Sequence, residues 1–357
     1  MATVNYKCPN CGGPLKFNPD KQMFSCEYCM SDFEEQKIQQ IYAEREAKQS
    51  QAEKAEEKAK QTATTEDDEA VVYTCPSCGA EVVTTASTAA THCFYCQNPV
   101  VLGGRLSGEF KPDRVVPFAL TKEKAIETFL GMCRKKWFLP KNFASKKQIE
   151  KLTGVYFPYW YIDSQRHAKV DATGQKVRTW RSGNKRYTET SIFQLLRAGD
   201  LVIKNVFERA LKSESREMLQ SVHPFDLSKA KDFSMSYLSG FQAEKRDLEK
   251  KDVEQAVEQR MQEYSKQLLK NTMKGYTAVQ IQHYGDIKEL ESWNYTLLPV
   301  WVITYKYNGK ILPFAINGQT GKTYGSLPVS KGKLAILFGI VAVAVFALSL
   351  LGGLLLL

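Results

Sequence analysis

The 357-residue chain contains only four histidines, and none of them belongs to a recognised catalytic motif. His167, His223 and His283 stand singly, and neither a His-Glu-x-x-His run nor a Gly-x-Ser-x-Gly elbow occurs. Residues 318–323 look like a phosphate-binding loop, but Ile316 stands where that motif needs its first glycine. We therefore expect a hairpin turn there and predict a protein that is not an enzyme, although scattered carboxylates could still meet in space.

The N-terminal end of the chain lacks an apolar run, and the C-terminal end lacks charged residues. The N-terminus has no apolar run before its first cysteine, so we expect no secretory signal. Residues 334–357 have no charge, which predicts a C-terminal transmembrane helix. Lys331 and Lys333 precede it, so the positive-inside rule predicts a tail-anchored, single-pass protein of the cell membrane with residues 1–330 in the cytoplasm. A reducing compartment favours metal-bound or free cysteines over disulfides.

Eight of the nine cysteines form two copies of one pattern, and Cys133 is the ninth. In each copy two Cys-x-x-Cys pairs are separated by fourteen residues, and the copies lie 67 positions apart. Four thiolates at this spacing suit one tetrahedral zinc ion, whereas redox motifs and disulfides fit the duplication poorly. His92 beside Cys93 is expected to be structural or exposed. The sequence therefore predicts two structural zinc ions, with these ligands: Cys8, Cys11, Cys26, Cys29, Cys75, Cys78, Cys93 and Cys96.

The segments CPNCGG and CPSCGA resemble the knuckles of zinc ribbons of the transcription-factor-IIB type, over residues 6–33 and 73–100. That resemblance implies a ribbon fold, and ribbons of this kind bind nucleic acid in some proteins and protein partners in others. Residues 1–33 carry three basic and three acidic groups. Phosphate contacts need an excess of Lys and Arg, so this balance favours a protein partner over nucleic acid.

We predict an α+β fold with two zinc ribbons at 1–33 and 71–105 and a charged linker at 34–70. The linker is expected to be a partly helical or disordered spacer, with a coiled-coil arm as the alternative. Residues 106–330 are predicted to be a mainly antiparallel β body with helices. Internal repeats pair 116–122 with 223–229 and 156–162 with 297–303, where Thr121 and Ser228 can each cap a helix. The prolines at 158 and 299 are expected at strand edges or openings.

Two hairpin turns and one long helix are predicted within the body. Gly183-Asn184 and Asn308-Gly309 are typical two-residue hairpin signals. The helix is expected from about 242 to 273, and its apolar stripe would pack on a sheet, with a partner helix as the alternative. The stripe consists of Val253, Val257, Met261, Tyr264 and Leu268.

The basic excess of the chain lies in its middle, where residues 106–240 carry 25 Lys/Arg against 14 Asp/Glu. Four of these residues flank the turn at 183–184: Arg178, Arg181, Lys185 and Arg186. They are the predicted contact with an anionic lipid surface. An ordinary solvated hairpin explains them equally well.

The order of these segments, with VVPF, YFPYWY and LLPVWVITYKYNGK in the body, resembles a group of bacterial membrane-anchored zinc-ribbon proteins. The resemblance implies an adaptor or scaffold that recruits protein partners to the cytoplasmic membrane face, in membrane-stress or phage-shock-type systems. It supplies no catalytic residues. The alternative is a membrane-anchored zinc-ribbon protein that binds nucleic acid.

Overall fold

The computed structural model describes residues 3–4, 6–42, 71–74, 81–84, 88–92, 99–102, 106, 110–140, 143, 145, 149–212, 220–307, 310–325 and 327–355. These residues form two compact units. Unit 1 comprises 1–157, 213–245 and 297–357, and unit 2 comprises 158–212 and 246–296. Two long strands, at Thr153–Ser182 and Ala278–Tyr307, contribute residues to both units.

Sixteen strands and four helices are present in the described residues. The helices are α1 (35–42), α2 (Lys122–Arg134), α3 (Lys250–Asn271) and α4 (Lys331–Leu355). The strands are β1 (Thr3–Val4), β2 (Leu15–Asn18), β3 (Met23–Cys26), β4 (Asp32–Phe33), β5 (Val71–Thr74), β6 (Glu81–Thr84), β7 (Thr88–His92), β8 (Pro99–Leu102), β9 (Arg114–Val115), β10 (Thr153–Ser182), β11 (Lys185–Arg209), β12 (Lys231–Asp232), β13 (Gln242–Glu244), β14 (Ala278–Tyr307), β15 (Lys310–Asn317) and β16 (Thr323–Gly325).

Unit 1 contains most of the short strands. β2, β3 and β4 form a small antiparallel sheet, and β5 pairs with β6. The larger sheet runs β1-β8-β7-β13 and continues to the first residues of β10, with which β13 pairs in parallel. The last residues of β14 pair with β15, and β15 with β16, both antiparallel. Helices thus accompany a large, mostly antiparallel β body in a mixed α/β fold. The predicted fold class is wrong in its C-terminal transmembrane helix, which none of the described helices supports.

An aromatic cluster forms the core of this body. Phe118 stacks on Phe241 with ring centroids 4.2 Å apart, and it meets Tyr156 and Trp301 at 5.0 Å each. All four rings are buried. The proline-aromatic segments of the sequence therefore meet in one place, which explains their apolar composition.

The two predicted helix caps have different outcomes. Thr121 caps α2, because its hydroxyl oxygen accepts a hydrogen bond from the Lys124 amide at 3.4 Å. The related residue Ser228 lies inside a short 3-10 turn at Leu227–Lys229. The cap of that turn is the Asp226 carboxylate, which accepts from the Ser228 amide at 3.0 Å. The predicted cap at Ser228 is therefore wrong by two residues.

The prolines at 158 and 299 lie within long strands instead of opening them. Proline keeps its carbonyl acceptor, and both carbonyls are used: Pro158 accepts from the Ala210 amide and Pro299 from the Gly318 amide. The predicted hairpin turn at 318–323 is confirmed, with Gly321 in the left-handed region at φ +76°.

Unit 2 is built on the β10–β11 hairpin, whose turn at 183–184 matches the prediction. Its core contains Ala168, Val170, Ala172 and Leu195 from the hairpin, packed with Leu269 and Met273. The Asn308-Gly309 turn lies outside the described residues, although Tyr307 and Lys310 beside it are paired.

Helix α3 is shorter than predicted and turns a slightly different face inward. The helix begins at Lys250, and residues 242–244, where it was predicted to start, form strand β13. Val253, Val257 and Met261 are buried as expected, but the stripe continues through Ser265 and Leu269. Tyr264 and Leu268 are 45% and 44% exposed, so their predicted place in the stripe is wrong.

Helix α4 begins at Lys331, where the Lys333 ammonium donates to the carbonyl oxygens of Trp137 and Leu139 at 3.1 and 2.7 Å. Across the part of the chain that the structure describes, no helix is long and apolar enough to cross a membrane. This finding corrects the predicted transmembrane helix at 334–357 and, with it, the tail-anchored, single-pass placement in the cell membrane.

Candidate metal centre

The first four predicted ligands converge in the small sheet of unit 1. Cys8 and Cys11 lie in the turn before β2, while Cys26 ends β3 and Cys29 lies in the turn that follows. Their four Sγ atoms all lie within 4.8 Å of one another. The Cys8–Cys29 and Cys11–Cys26 Sγ pairs are each 3.5 Å apart. Sulfurs about 2.3 Å from one tetrahedral ion would be roughly 3.8 Å apart, so the group can hold a metal ion.

The two turns that carry the thiols have the same backbone construction. The Gly12 amide donates to the Cys8 carbonyl at 2.9 Å, and the Met30 amide donates to the Cys26 carbonyl at 3.0 Å. Gly12 and Met30 each follow the second cysteine of a pair, and both adopt positive φ, +73° and +56°. A second bond in each turn, from Cys8 to Gly13 and from Cys26 to Ser31, closes the loop. We call these turns knuckle 1 (residues 8–13) and knuckle 2 (residues 26–31).

Hydrogen bonds around the thiols move their pKa values in opposite directions. The Ser31 hydroxyl and amide hydrogen bond to the Cys29 sulfur and lower the pKa of Cys29 to about 6. A backbone hydrogen bond at Gly13 lowers the pKa of Cys11, but its hydrogen bonds with the neighbouring thiols raise it to about 12. The thiolate is the metal-binding form of cysteine, so the hydrogen bonds of knuckle 2 favour the form of Cys29 that binds a metal ion.

The sheet between the knuckles packs its apolar face against the body of unit 1. Phe17 and Phe24 are buried, with their ring centroids 5.3 Å apart. Both rings meet Tyr237, at 5.1 and 6.0 Å. The Phe17 amide also donates to the Ser239 carbonyl at 3.2 Å. The first ribbon is therefore fixed to its unit by one face, and Phe17 and Phe24 are core residues.

Helix α1 adds a second attachment. The Tyr237 hydroxyl donates to the Glu35 carboxylate, which also accepts from Lys231 at 3.2 Å. Further along α1, Tyr42 is buried and its hydroxyl bonds the backbone of Lys7. The start of the predicted spacer thus belongs to the ribbon and its unit. Residues 43–70, where the spacer or coiled-coil prediction falls, lie outside the described residues.

The opposite end of the ribbon is open to solvent. Residues 9–12 and 27–30 are exposed, and the two knuckles present Tyr28 and Met30, which are 73% and 80% exposed. We call residues 9–12 and 27–30 the knuckle face. Two of the three lysines of the ribbon are paired, Lys16 with Glu27 at 2.9 Å and Lys21 with Asp32 at 2.6 Å. The knuckle face therefore combines exposed apolar groups with little free positive charge.

Cys75, Cys78, Cys93 and Cys96 lie outside the described residues, so the second site remains a prediction. Cys133 lies on α2, partly buried, and burial raises the pKa of its thiol to about 11.

The four basic residues Arg178, Arg181, Lys185 and Arg186 are exposed at the tip of the β10–β11 hairpin. The structure brings them together as predicted from the turn, and leaves their role untested.

Sequence reasoning missed a buried charge cluster in unit 2. Arg166 is fully buried, and its guanidinium donates to Glu258 at 2.5 and 2.6 Å and to Asp286 at 2.6 Å. Glu291 lies 3.6 Å from it. These partners are separated from Arg166 by 92 or more positions, and nothing local in the sequence marks them.

Comparison with known proteins gives a relative but no function. No family model matches the chain, and no solved structure matches it. The chain is 32% identical over 344 residues to a protein of Bacillus subtilis (strain 168) described as "Uncharacterized protein YdjG", covering 96% of this chain and 95% of that one. Similarity of this extent includes residues of both units. The chain therefore belongs to the same family as YdjG.

Proposed function

We propose that the protein is a zinc-ribbon adaptor that holds a protein partner on the knuckle face of its first ribbon. In this proposal the thiolates of Cys8, Cys11, Cys26 and Cys29 bind one structural zinc ion, and the duplicated cysteines of 75–96 bind a second. The observation that carries the proposal is the difference between the two ends of the ribbon. Its aromatic face packs on unit 1, whereas the end that holds the four cysteines is exposed.

The composition of the knuckle face supports a protein partner. Aromatic residues and methionine are enriched in protein interfaces, and Tyr28 and Met30 are the large exposed side chains of the knuckles. A metal that closes both knuckles would hold these side chains in one arrangement, which lowers the entropy lost on binding. The partner expected here has an apolar pocket for a tyrosine and a methionine.

Nucleic acid is the alternative partner, and the charges of the ribbon disfavour it. Phosphate contacts need unpaired Lys or Arg, but Lys16 and Lys21 already face carboxylates. Four thiolates on one divalent ion add a formal charge of −2. The paired lysines offer a phosphate backbone little attraction, and the anionic metal site would repel it.

The side chains that could act in catalysis lie in environments that favour a binding function over a catalytic one. Burial lowers the pKa of His223 to about 3, so this imidazole stays neutral. His167 pairs with Asp200 at 2.6 Å on an exposed strand surface, and Cys133 has a raised pKa.

A photo-crosslinking amino acid at position 28 tests the proposal in the cells that naturally make the protein. The matched control carries the same group at Gln36, an exposed position on α1. We expect a discrete protein adduct from position 28 and none from position 36. Excess wild-type protein should abolish the adduct, whereas excess Tyr28→Ala/Met30→Ala protein should not.

Two results would overturn this proposal. Equal adducts from positions 28 and 36 would remove the knuckle face as the partner surface. Duplex DNA binding at physiological salt, with a steep salt dependence and no effect of Tyr28→Ala, would favour the nucleic-acid rival.

A further inference from the structure

The β10–β11 hairpin extends well beyond the core of unit 2. Residues 175–190 are all exposed, whereas Gly174 and Leu195 beside them are buried. The paired strands of this exposed part keep an unbroken antiparallel register from Gln175↔Ile192 to Ser182↔Lys185. About eight residues per strand at about 3.3 Å each give an arm of roughly 25 Å. We call residues 175–192 the arm.

The tip of the arm is strongly basic, and its charges are poorly compensated. The arm contains five Lys or Arg and one acidic residue, Glu189, which stands directly opposite Arg178. Arg181 and Arg186 stand directly opposite each other, an arrangement that destabilises an isolated hairpin. Within the described part of the chain, none of the four tip residues Arg178, Arg181, Lys185 and Arg186 makes an ion pair. An external anion would relieve this repulsion.

The two faces of the arm differ in character. On one face Trp180 and Tyr187 are opposite each other and stack, with centroids 5.7 Å apart and an interplanar angle of 15°. The Arg178 guanidinium lies 5.7 Å from the centre of the Trp180 ring. On the other face Arg181 and Arg186 are followed along the strands by the exposed apolar residues Val177, Ile192 and Leu196. Positive charge at the tip is thus combined with exposed aromatic and aliphatic side chains on both faces.

We propose that the arm is a peripheral docking element for an anionic lipid surface. Lys and Arg are attracted to the negative surface of anionic leaflets. Trp and Tyr favour the headgroup level, where an amphipathic ring meets both water and hydrocarbon. This contact requires only the exposed arm, so it does not depend on the proposed adaptor function.

The aromatic stack distinguishes a lipid surface from nucleic acid. Bases bind to aromatic rings through open ring faces. In the arm, Trp180 and Tyr187 each cover one face of the other, and Arg178 lies over the Trp180 ring. A phosphate backbone would also leave Ile192, which is 68% exposed, without an apolar partner. Lipid headgroups and their adjoining acyl chains match both the basic and the apolar side chains of the arm.

Vesicle binding by the full chain tests this assignment. Vesicles of phosphatidylcholine alone are compared with vesicles containing about 30% phosphatidylglycerol, an anionic lipid, in a co-sedimentation assay. We expect tighter binding to the anionic vesicles, lowered at least tenfold by changing Arg178, Arg181, Lys185 and Arg186 to Gln. The matched control changes four exposed lysines of the same unit, Lys204, Lys251, Lys270 and Lys274, to Gln, and should retain the binding.

A second measurement locates the contact and does not depend on the charge variants. Lipids brominated near the headgroup should quench part of the tryptophan fluorescence of the wild-type chain, and Trp180→Phe should remove that part. Equal binding to both vesicle types, or equal losses in tip and control variants, overturns the proposal. Tip-dependent binding of duplex DNA that displaces the vesicles would assign the arm to nucleic acid instead.

Discussion

Two residues in the knuckles share a left-handed backbone but differ in how well they tolerate it. Gly12 has no Cβ and adopts φ +73° freely, and a Cβ there would meet no atom within 4 Å. Met30 adopts φ +56° at the same place in knuckle 2. A residue with a Cβ is disfavoured in this region by roughly 1–2 kcal/mol. Since Met30 is exposed, packing offers little compensation.

We therefore expect Met30→Gly to stabilise the protein by about 0.5–1 kcal/mol, after allowing for the extra entropy of glycine in the unfolded chain. The converse change, Gly12→Ala, should destabilise it by about 1–2 kcal/mol for backbone reasons alone. Urea unfolding followed by circular dichroism measures both. Changes of the same sign in the two variants would contradict this account of the knuckles.

The buried Arg166 is the second residue on which stability depends. Hydrogen bonding to Arg166 lowers the pKa of the Glu258 carboxyl below its ordinary value. Because the folded-state pKa is below the unfolded value of 4.5, the stabilisation is fully present above that pH. It is lost as the pH falls through the folded-state pKa. Removing the guanidinium would take this ion pair from Asp286 and leave Lys288 as the remaining cation beside Glu258 and Glu291, at 3.9 and 3.3 Å.

Arg166→Met should therefore cost about 3–5 kcal/mol at pH 7. Between pH 7 and pH 4 the variant should lose less stability than the wild type, because protonation relieves its uncompensated carboxylates. Urea midpoints at the two pH values give this comparison, with Lys169→Met, an exposed change on the same strand, as the control. If the stability of the variant and of the wild type changes equally with pH, the charge cluster around Arg166 does not couple stability to pH.

At the scale of elements, helix α3 shows why the inward face was mispredicted. From Met261 the apolar spacing allows two continuations, through Tyr264 and Leu268 or through Ser265 and Leu269. Hydrophobicity favours the first path. The structure takes the second, and the Ser265 hydroxyl is satisfied by donating to the Met261 carbonyl at 2.9 Å. A buried serine with a local acceptor costs little, so periodicity alone could not decide between the two faces.

This assignment makes a mutational prediction for α3. Met261→Ala should destabilise the protein by about 2–5 kcal/mol, because it opens a cavity at a fully buried position. Leu268→Ala, at a side chain 44% exposed, should cost clearly less. Denaturant unfolding of the two variants gives the comparison. A larger loss for Leu268→Ala would return the helix to the orientation expected from the sequence.

At the scale of the whole molecule, local features were predictable and long-range ones were not. The first cysteine cluster, the 183–184 turn and the Thr121 cap follow from spacing and residue type within short segments. The first ribbon docks on Tyr237, whose hydrogen-bond partner Glu35 lies 202 positions away in the sequence. No local sequence pattern predicts this contact. The membrane span was predicted from composition alone, and the described helices do not support it.

The central claim, that the four thiols of the first ribbon bind zinc, is tested most directly by counting metal. Zinc per chain is measured by elemental analysis of the purified full-length protein and of two variants, Cys26→Ser/Cys29→Ser and Cys133→Ser. We expect about two ions per wild-type chain, one fewer in the double variant, and an unchanged count in Cys133→Ser. A double variant that keeps the full wild-type zinc content would contradict the assignment of these thiols as zinc ligands.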